Sequence, residues 1–389
     1  MKPNPSLAIL HDLCSIPTAP FVEGRVVAFV EQFVRQRKRL RLSRDVHGNL
    51  LIQLPGRKKS SPRWVFAAHM DHPGLVARRM TDHRTIEADF YGWVLATYAK
   101  GEKVRFFHED IEIPGVITQV TAEKKTGRTQ AVRVRVDSPV PPGAPGMWDQ
   151  GQGRIRKGKF LCRVCDDLAG AAGALAMLDR LYRHPPAANV AVLLTRAEEE
   201  GFVGALAAAI KPQLLRKTDR IIAIETSAAQ PYAPQGNGPI IRLGDKTSIF
   251  NSSLSYFLTQ QAEALAKKRV ERAYSPTVRP FRFQRTVMPG GTCEATVYDV
   301  FGFHAGSICV ALANYHNMDK ETKRIAPEFI DVSDWLNMVE LFVAIAKTGH
   351  TYEPGHNALK ARLLKRFESR KHLLAPIRHG ATAVSRGIY

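Results

Sequence analysis

The sequence of 389 residues lacks long hydrophobic runs and contains only five cysteines. No segment approaches the roughly 18 consecutive apolar residues that a membrane-spanning helix requires, so we expect no membrane partner. The N-terminal segment MKPNPSLAILHDLCSIP lacks the apolar core and the small-residue cleavage site of a signal peptide. A small, odd number of cysteines is typical of a reduced protein rather than of a secreted disulfide scaffold. We therefore expect a cytoplasmic protein.

Acidic residues are also scarce: 36 Asp and Glu stand against 56 Lys and Arg, which gives a formal net charge of +20. Such a charge favours anionic partners, namely nucleic acid, acidic lipid or acidic peptides. Part of the excess lies in a basic C-terminal tail, residues 351–389. The sequence has no recognised nucleic-acid motif and no basic repeat interleaved with aromatic residues. We therefore do not expect nucleic-acid binding to be the primary function.

The pattern of apolar residues predicts an α/β fold. Hydrophobic residues make up 44% of the chain, enough for a large core, and the length suits two domains. Apolar runs that end in polar residues are typical of buried parallel strands, and their alternation with helices indicates a mostly parallel sheet sandwiched by helices. The predicted helices are residues 4–15, 23–39, 167–184 and 202–217, and the predicted strands lie within 64–74, 189–201, 220–227 and 307–317.

Residues 72–164 have a different pattern, with short β-like segments broken by glycine and proline and almost no helical periodicity. This predicts a small inserted all-β domain, which could serve for dimerisation. The main domain is then discontinuous and comprises residues 1–71 and 165–350. The tail after residue 350 is basic and weakly helical, and we expect it to dock loosely or to lie exposed.

Five segments carry side chains that suit a pair of divalent metal ions. They lie at the predicted carboxyl ends of strands or in adjoining loops, where the functional residues of α/β sheets gather. Two metals need carboxylate and imidazole ligands, ideally with one carboxylate shared, and a further carboxylate must accept the proton of a water. The candidate residues are His69, Asp71, Asp166, Asp167, Glu198, Glu199, Glu200, Glu225 and His316.

The spacing within two of these segments suits a division of roles. The aspartate of a His-x-Asp pair, here Asp71, can fix the tautomer of the histidine. Of two adjacent glutamates at a strand end, one can bind metal while its neighbour acts as the base. Taken singly, each segment also has a structural explanation, such as a surface pair, a helix cap or a solvated charged face. Their order and their common placement at strand ends favour the metal site.

The cysteines suggest no further chemistry. Cys162 and Cys165 form a CxxC pair directly before Asp166. A single pair supplies only two metal ligands, and no second pair lies at a suitable spacing. We therefore expect a structural role for both, and we do not expect Cys293 to be a nucleophile.

Several motifs together resemble one known family. HMDHPG, CDDLAGAAGAL, TRAEEEGFVGA, IAIETS, GNGPIIRLGD, PGGTCEA and NYHN occur in this order between about residues 4 and 348. They are similar to the motifs of the tetrahedral, or glutamyl and leucyl, aminopeptidases, which are co-catalytic dinuclear zinc metallopeptidases. The resemblance implies hydrolysis of N-terminal residues from peptides, two divalent ions per subunit, zinc or cobalt, and assembly into homo-oligomers such as dimers or dodecamers.

The resemblance also implies a role for each candidate residue. His69, Asp166 and Glu225 would bind one metal, and Asp166, Glu199 and His316 would bind the other, so that Asp166 is the bridge. Glu198 would be the general base, and Asp71 would orient His69. The Asp166–Asp167 peptide bond would be cis, as in relatives.

Two positions depart from the family pattern. Glu225 stands where the family usually has Asp, and in related clans a Glu there accompanies carboxypeptidases. An N-acyl amino-acid deacylase or a carboxypeptidase on the same metal site is therefore an alternative. The family's GGTDA becomes GGTCEA, so that Cys293 and Glu294 alter a segment near the substrate. A non-catalytic basic binding protein on a peptidase fold is a further alternative, but every ligand position holds a competent residue.

Overall fold

The computed structural model describes residues 4–58, 62–272 and 281–374. The helices in these ranges are α1 (Pro5–Cys14), α2 (Gly24–Arg35), α3 (Ala96–Ala99), α4 (Leu168–Leu181), α5 (Val203–Ile210), α6 (Ser252–Arg272), α7 (Glu294–Val300), α8 (Val332–Thr348) and α9 (Asn357–Arg370). The strands are β1 (Arg41–Arg44), β2 (Leu50–Leu54), β3 (Arg63–His69), β4 (Gly74–Asp82), β5 (Thr85–Tyr91), β6 (Lys103–His108), β7 (Ile111–Ala122), β8 (Thr129–Val136), β9 (Pro145–Trp148), β10 (Arg154–Arg156), β11 (Lys159–Cys162), β12 (Asn189–Thr195), β13 (Arg220–Ala228), β14 (Ile240–Gly244), β15 (Gln284–Val287), β16 (His304–Ala313), β17 (Met318–Asp319), β18 (Arg324–Ile325) and β19 (Glu328–Asp331).

One large sheet forms the centre of the main domain. Its strand order is β1-β2-β12-β3-β13-β16-β19-β11-β10, with β14 and β15 attached beside β16. The four central strands β12, β3, β13 and β16 pair in parallel, as expected for an α/β fold. The outer strands pair antiparallel, apart from β14 with β15, so the sheet as a whole is mixed rather than mostly parallel. Antiparallel strands can be joined by short connections. The residue pattern of such a short strand does not indicate whether it runs parallel or antiparallel to its neighbour.

Helices cover both faces of this sheet. Successive side chains of a strand point to opposite faces, and Phe66 of β3 belongs to one buried cluster while its neighbours Val65 and Ala67 belong to another. The first cluster includes residues of α1, α4, α6 and α8, and the second includes residues of α5 and α7. Helix α4 is buried throughout most of its length, and Trp335 of α8 donates from Nε1 to the carbonyl of Ala169 at 2.8 Å.

Helix α5 is shorter than predicted. The apolar pattern predicted a helix over residues 202–217, whereas the helix ends at Ile210. The reason is Pro212, because the residue before a proline is disfavoured in the α conformation and proline itself cannot donate a backbone hydrogen bond.

Residues 74–148 contain a closed antiparallel barrel. Its strands follow the order β4-β5-β8-β7-β6-β9, and Phe106, Val134 and Trp148 are buried in its own core. The packing is close, since a Cβ at Gly146 would lie 2.7 Å from the ring of Phe106. Strands β10 and β11 lie within residues 72–164, the range assigned to the inserted domain, but they pair with the large sheet.

Residues 351–374 form the described part of the tail. Helix α9 is basic and exposed, and Leu363 and Phe367 are 55% and 52% exposed. The rest of the predicted basic tail, residues 375–389, lies outside the described residues. Within the described ranges, no helix is both long and apolar enough to span a membrane.

Candidate metal centre

The candidate residues meet at one edge of the large sheet. His69 is the last residue of β3, and Glu225 lies on β13 beside it. Glu198 and Glu199 lie in a 3₁₀ turn after β12, and His316 lies in a similar turn after β16. Because these four strands run parallel, their carboxyl ends share one edge. Asp166 reaches the same edge from the loop between β11 and α4.

Two groups of three ligand atoms form at this edge, and they share Asp166. One group consists of His69, Asp166 and Glu225, and the other consists of Asp166, Glu199 and His316; within each group the ligand atoms lie within 4.8 Å of one another. Nε2 of His69 is 3.6 Å from Oδ1 of Asp166, and Nε2 of His316 is 3.7 Å from Oδ2. The two oxygens of one carboxylate therefore face the two histidines.

Several of these ligand atoms are buried and form no hydrogen bond within the described ranges, although Nε2 of His316 and Oε1 of Glu199 lie 3.2 Å apart. They are Oδ1 of Asp166, Oε1 of Glu199, Oε1 of Glu225 and Nε2 of His316. Buried polar atoms are nearly always hydrogen-bonded, because leaving them without a partner costs free energy. A divalent cation in each group would satisfy them, and nitrogen and oxygen donors are ligands that zinc accepts. The residues present therefore fit two metal ions.

The charge balance of the centre also favours the binding of cations. Burial, aided by the charge of the neighbouring Asp166 and opposed by His69, raises the pKa of Glu225 to about 8. Burial alone would lower the pKa of His316, but Glu199 and Asp166 outweigh it and raise the pKa to about 9. Negative groups thus outnumber positive ones at this edge. Bound cations would replace these protons and return the carboxylates to their charged form.

Each histidine is oriented through its second ring nitrogen. Nδ1 of His316 lies 2.7 Å from the carbonyl of Trp93, and Nδ1 of His69 lies 3.1 Å from the carbonyl of Asp71. A carbonyl can only accept, so Nδ1 carries the proton in both rings and Nε2 keeps its lone pair for a metal. The carboxylate of Asp71 is 3.6 Å from Nδ1 of His69, farther away than its carbonyl.

The carboxylate of Asp71 holds the glutamate turn instead. It accepts hydrogen bonds from the backbone N–H groups of Glu198 at 3.0 Å and Glu199 at 3.1 Å. The turn begins after Ala197, which has a left-handed backbone with φ of 49°, and ends at Gly201, with φ of 93°. This turn places Oε2 of Glu198 3.9 Å from Nε2 of His69, beside the first ligand group.

Asp167 follows Asp166 and lies at the N-cap position of α4, although its side chain makes no capping hydrogen bond. The Asp166–Asp167 peptide bond is cis, which confirms the expectation from the resemblance. The carboxylate of Asp167 folds over the first turn of α4, where a Cβ on Gly170 would lie 2.3 Å from its Oδ1. Gly170 is therefore required for this arrangement. Burial holds the pKa of Asp167 well above its usual value, so this carboxyl is suited to remain protonated.

Sequence reasoning missed two residues that support the ligands. One oxygen of the buried Glu328 accepts from the backbone N–H groups of Cys165 at 2.7 Å and Asp166 at 3.1 Å, and the other accepts from that of His316 at 2.9 Å. His72 lies 2.7 Å from the carbonyl of Asp166 through Nδ1. Glu328 stands in no motif that could have indicated it. His72 lies within the motif HMDHPG, which was the only sequence signal that could have identified it.

The cysteines are buried among core residues. Cys162 donates from Sγ to the carbonyl of Cys14 at 3.0 Å, and burial raises the pKa of Cys162 and of Cys165. Burial likewise raises the pKa of Cys293 far above neutrality, which makes its thiol a poor nucleophile. The next residue, Glu294, is also buried and accepts a hydrogen bond from the hydroxyl of Thr195 at 2.5 Å.

A cleft of about 270 Å³ opens beside Glu225. Tyr315, whose ring stacks on that of His316 at 3.8 Å between centroids, lines one side. Arg242 lines the cleft and is only 3% exposed. Its Nη1 donates to the hydroxyl of Ser227 at 3.2 Å, while its buried Nε has no hydrogen-bond partner within the described ranges. The cleft therefore offers a cation directly beside the metal centre.

Comparisons with known proteins show which family this chain resembles. Residues 48–324 match a family model described as M42 glutamyl aminopeptidase. A lysyl aminopeptidase from Pyrococcus furiosus is 24% identical over 265 residues, which cover 63% of this chain and 73% of that protein.

Solved structures share the fold. An aminopeptidase from the archaeon Desulfurococcus kamchatkensis superimposes with a TM-score of 0.70 and 22% identity, over 88% of this chain and 94% of that chain. The TET1 peptidase of Pyrococcus horikoshii, which can assemble into a tetrahedron or a large octahedral shell, has a TM-score of 0.69 and 20% identity, over 88% of this chain and 99% of that chain.

Proposed function

The chain belongs to the M42 glutamyl aminopeptidase family, and from this premise we propose which residues carry out its chemistry. It is a metal-dependent aminopeptidase, a hydrolase that removes N-terminal residues from peptides. One observation supports the assignment of residues above all others: two ligand groups share Asp166, and several of their buried atoms form no hydrogen bond within the described ranges.

We assign one ion to His69, Asp166 and Glu225, and a second to Asp166, Glu199 and His316. Carboxylates and imidazoles suit zinc, and cobalt accepts the same donors, so we propose two ions of either kind per subunit. When bound, such ions lower the pKa of water and polarise a carbonyl group. The shared carboxylate of Asp166 fixes the spacing of the two groups.

Glu198 moves the proton in this proposal. It takes a proton from the attacking water and returns it to the departing amine. Its Oε2 lies 3.9 Å from Nε2 of His69, at the edge of the first ligand group. Burial, together with the charges of Glu225 and Glu199, raises the pKa of Glu198 well above its usual value. A carboxyl of this kind can accept a proton and hold it near neutral pH.

Family membership does not favour the alternatives. A deacylase or a carboxypeptidase would use the same ligands on another substrate, and Glu225 was the reason to consider it. A ligand atom of Glu225 lies within 4.8 Å of those of His69 and Asp166, so this glutamate is within reach of the proposed ion. A non-catalytic binding protein would not need a complete set of ligands and a base.

Metal analysis combined with a substrate panel tests the proposed function. We expect two zinc or cobalt ions per chain and release of free N-terminal residues from aminoacyl amides, with N-acylated amino acids left intact. Removal of the metals by a chelator should abolish hydrolysis, and added zinc or cobalt should restore it. Two bound metals with cleavage of N-acyl substrates alone would support the deacylase instead. A chain that binds no metal after incubation with zinc, cobalt or manganese would contradict the proposal.

Arg242 suggests a preference for acidic N-terminal residues. Its guanidinium lies in the lining of the cleft beside Glu225, where it contributes a positive charge. The relative from Pyrococcus furiosus is a lysyl aminopeptidase, but in this chain the positive charge of Arg242 would disfavour a lysine side chain. An N-terminal Glu or Asp would instead complete an ion pair.

Replacing Arg242 with methionine should remove this preference. Truncating one partner of a buried ion pair costs enough to lower kcat/KM about 30-fold or more. We expect that loss for a glutamyl amide and little change for a leucyl amide. Lys320, an exposed cation at the rim of the same cleft, provides the matched control, and Lys320→Met should change kcat/KM only slightly. Equal losses for glutamyl and leucyl amides in Arg242→Met would contradict the assignment.

We also propose a cytoplasmic homo-oligomer. The five cysteines are unpaired in the structure, which agrees with a reducing compartment. The TET1 peptidase of Pyrococcus horikoshii assembles into closed shells, and the fold shared with it supports self-association here. Light scattering would distinguish a dimer from a dodecamer. The division into a main domain, an inserted β-domain and a tail also belongs to this proposal.

A further inference from the structure

A short segment of the barrel contacts the metal centre. Gly92 and Trp93 follow β5 and connect it to α3; we call them the Gly92–Trp93 segment. The carbonyl of Trp93 accepts the hydrogen bond from Nδ1 of His316 at 2.7 Å. One ligand of the second ion is therefore oriented by the barrel rather than by the sheet that carries it.

Two charged side chains hold this segment in place. Oε1 of Glu200 accepts from the backbone N–H of Gly92 at 2.7 Å and also forms an ion pair with Nη2 of Arg128. Nε of Arg128 donates to the carbonyl of Gly92 at 2.9 Å. Both polar backbone groups of Gly92 are thus engaged. Glu200 belongs to the glutamate turn after β12, and Arg128 belongs to the barrel.

The local backbone explains why a glycine is needed here. Gly92 has a φ of 88°, and a Cβ would lie 2.6 Å from Cβ of Pro73. The close approach places the segment against the chain that leaves the metal centre after His69. Small displacements of Gly92 would therefore move the carbonyl of Trp93 relative to His316.

Glu200 has no place among the ligands. The two ligand groups that share Asp166 include its neighbour Glu199 but not Glu200 itself. Its side chain points instead toward the barrel, where Arg128 compensates its charge, and the two side chains are only 20% and 26% exposed. Partly buried, charge-assisted hydrogen bonds of this kind are stronger than exposed ones. The third glutamate of the turn thus links the turn to the barrel.

We propose that Glu200 and Arg128 are positioning residues for the second metal ion. They clamp the Gly92–Trp93 segment so that the carbonyl of Trp93 fixes the tautomer and the direction of His316. This proposal rests on the proposed function, because it requires that His316 binds metal. Partners of metal-bound histidines typically change metal affinity 10–100-fold when they are lost. The barrel is then a component of the metal centre and not only an appended domain.

Cobalt titration of the metal-free protein, followed by absorption spectroscopy, tests the clamp. We expect wild type to bind two equivalents. Glu200→Leu, which removes the acceptor, should weaken the second equivalent about 10-fold or more and leave the first, at His69 and Glu225, unchanged. Glu200→Gln keeps Oε1 as an acceptor for Gly92 and Arg128, so it should bind cobalt nearly as wild type does.

Two further variants complete the design. Arg128→Met should reproduce the effect of Glu200→Leu, and the double variant should be no worse than either single one, because both act through Gly92. Arg324→Met removes a different ion pair, with Glu102 at 2.5 Å, between the barrel region and another part of the chain. This matched control should bind both equivalents normally.

The outcomes separate the clamp from the proposed function. Wild type that binds two equivalents, with Glu200→Leu and Arg128→Met giving identical isotherms, would overturn the clamp and leave the function intact. Equal weakening of both equivalents in the two variants would also overturn it, since it would indicate a general loss of structure. Wild type that binds no cobalt would overturn the proposed function and the clamp with it.

Discussion

Replacing Glu198 with glutamine will leave both metal ions bound and lower kcat by about 10²–10⁴-fold, the usual contribution of a general base. Glutamine has nearly the shape of glutamate, but it cannot accept the proton of the attacking water. Glu198 contributes no atom to the two ligand groups that share Asp166, so its loss should not release either ion. The measurement is kcat on an aminoacyl amide together with metal content by elemental analysis.

The control for this variant is an exposed glutamate. Glu263 lies on α6 and faces solvent, and Glu263→Gln should keep full activity. Turnover of Glu198→Gln close to that of wild type would show that another group accepts the proton. Loss of metal from Glu198→Gln would show that Glu198 is a ligand, since it also lies near His69 and Glu199.

Replacing Asp166 with asparagine will reduce metal content below two ions per chain and lower kcat/KM by about 10³-fold or more. Asp166 is the residue that both ligand groups share, and each of its oxygens faces a different histidine. Asparagine offers one carbonyl oxygen and no charge, so it cannot serve both ions. Metal ions provide several kcal/mol of transition-state stabilisation, and about 1.4 kcal/mol corresponds to a factor of ten in rate.

Asp167 provides a sharp comparison for this prediction. It is the next residue and is equally buried, but burial keeps its pKa well above the usual range. Asparagine resembles a protonated aspartate in shape and charge, so Asp167→Asn should retain both metals. Elemental analysis of the two variants side by side checks the assignment. Two ions retained in Asp166→Asn would exclude Asp166 as the bridge.

Much of the centre could be predicted because strand ends are visible in sequence. The apolar runs before His69, Glu199 and Glu225 indicate where buried strands stop, and parallel strands bring their ends to one edge. The parallel pairing of the central strands was predicted on the same grounds, and the structure confirms it. The antiparallel attachment of outer strands to this parallel centre was not foreseen, since short strands without a crossover helix carry no signal of their direction.

The supporting contacts could not be predicted because they join distant parts of the chain. Glu328 binds the backbone of Cys165, Asp166 and His316, and the pairing of β19 with β11 and β16 places it there. No local pattern marks such a residue. Backbone acceptors are still harder to foresee, because any residue type offers the same carbonyl that Trp93 presents to His316.

Asp71 shows a further limit of what the sequence can predict. The His-x-Asp spacing suggested that its carboxylate orients His69, whereas that carboxylate accepts from the backbone of Glu198 and Glu199 and its carbonyl lies nearer to the imidazole. Sequence spacing shows that two residues are close together. The choice between side chain and backbone depends on the conformation of the turn.

The chain enters the barrel shortly after His69 and leaves it at Trp148, and β10 and β11 of the large sheet follow before Asp166. Two proposed ligands of the same ion therefore stand on either side of the insertion. An ion between them would act as a cross-link at its base and would restrict the unfolded chain much as a disulfide does. Such a cross-link depends on the geometry at the base of the barrel and not on the length of its distant hairpins.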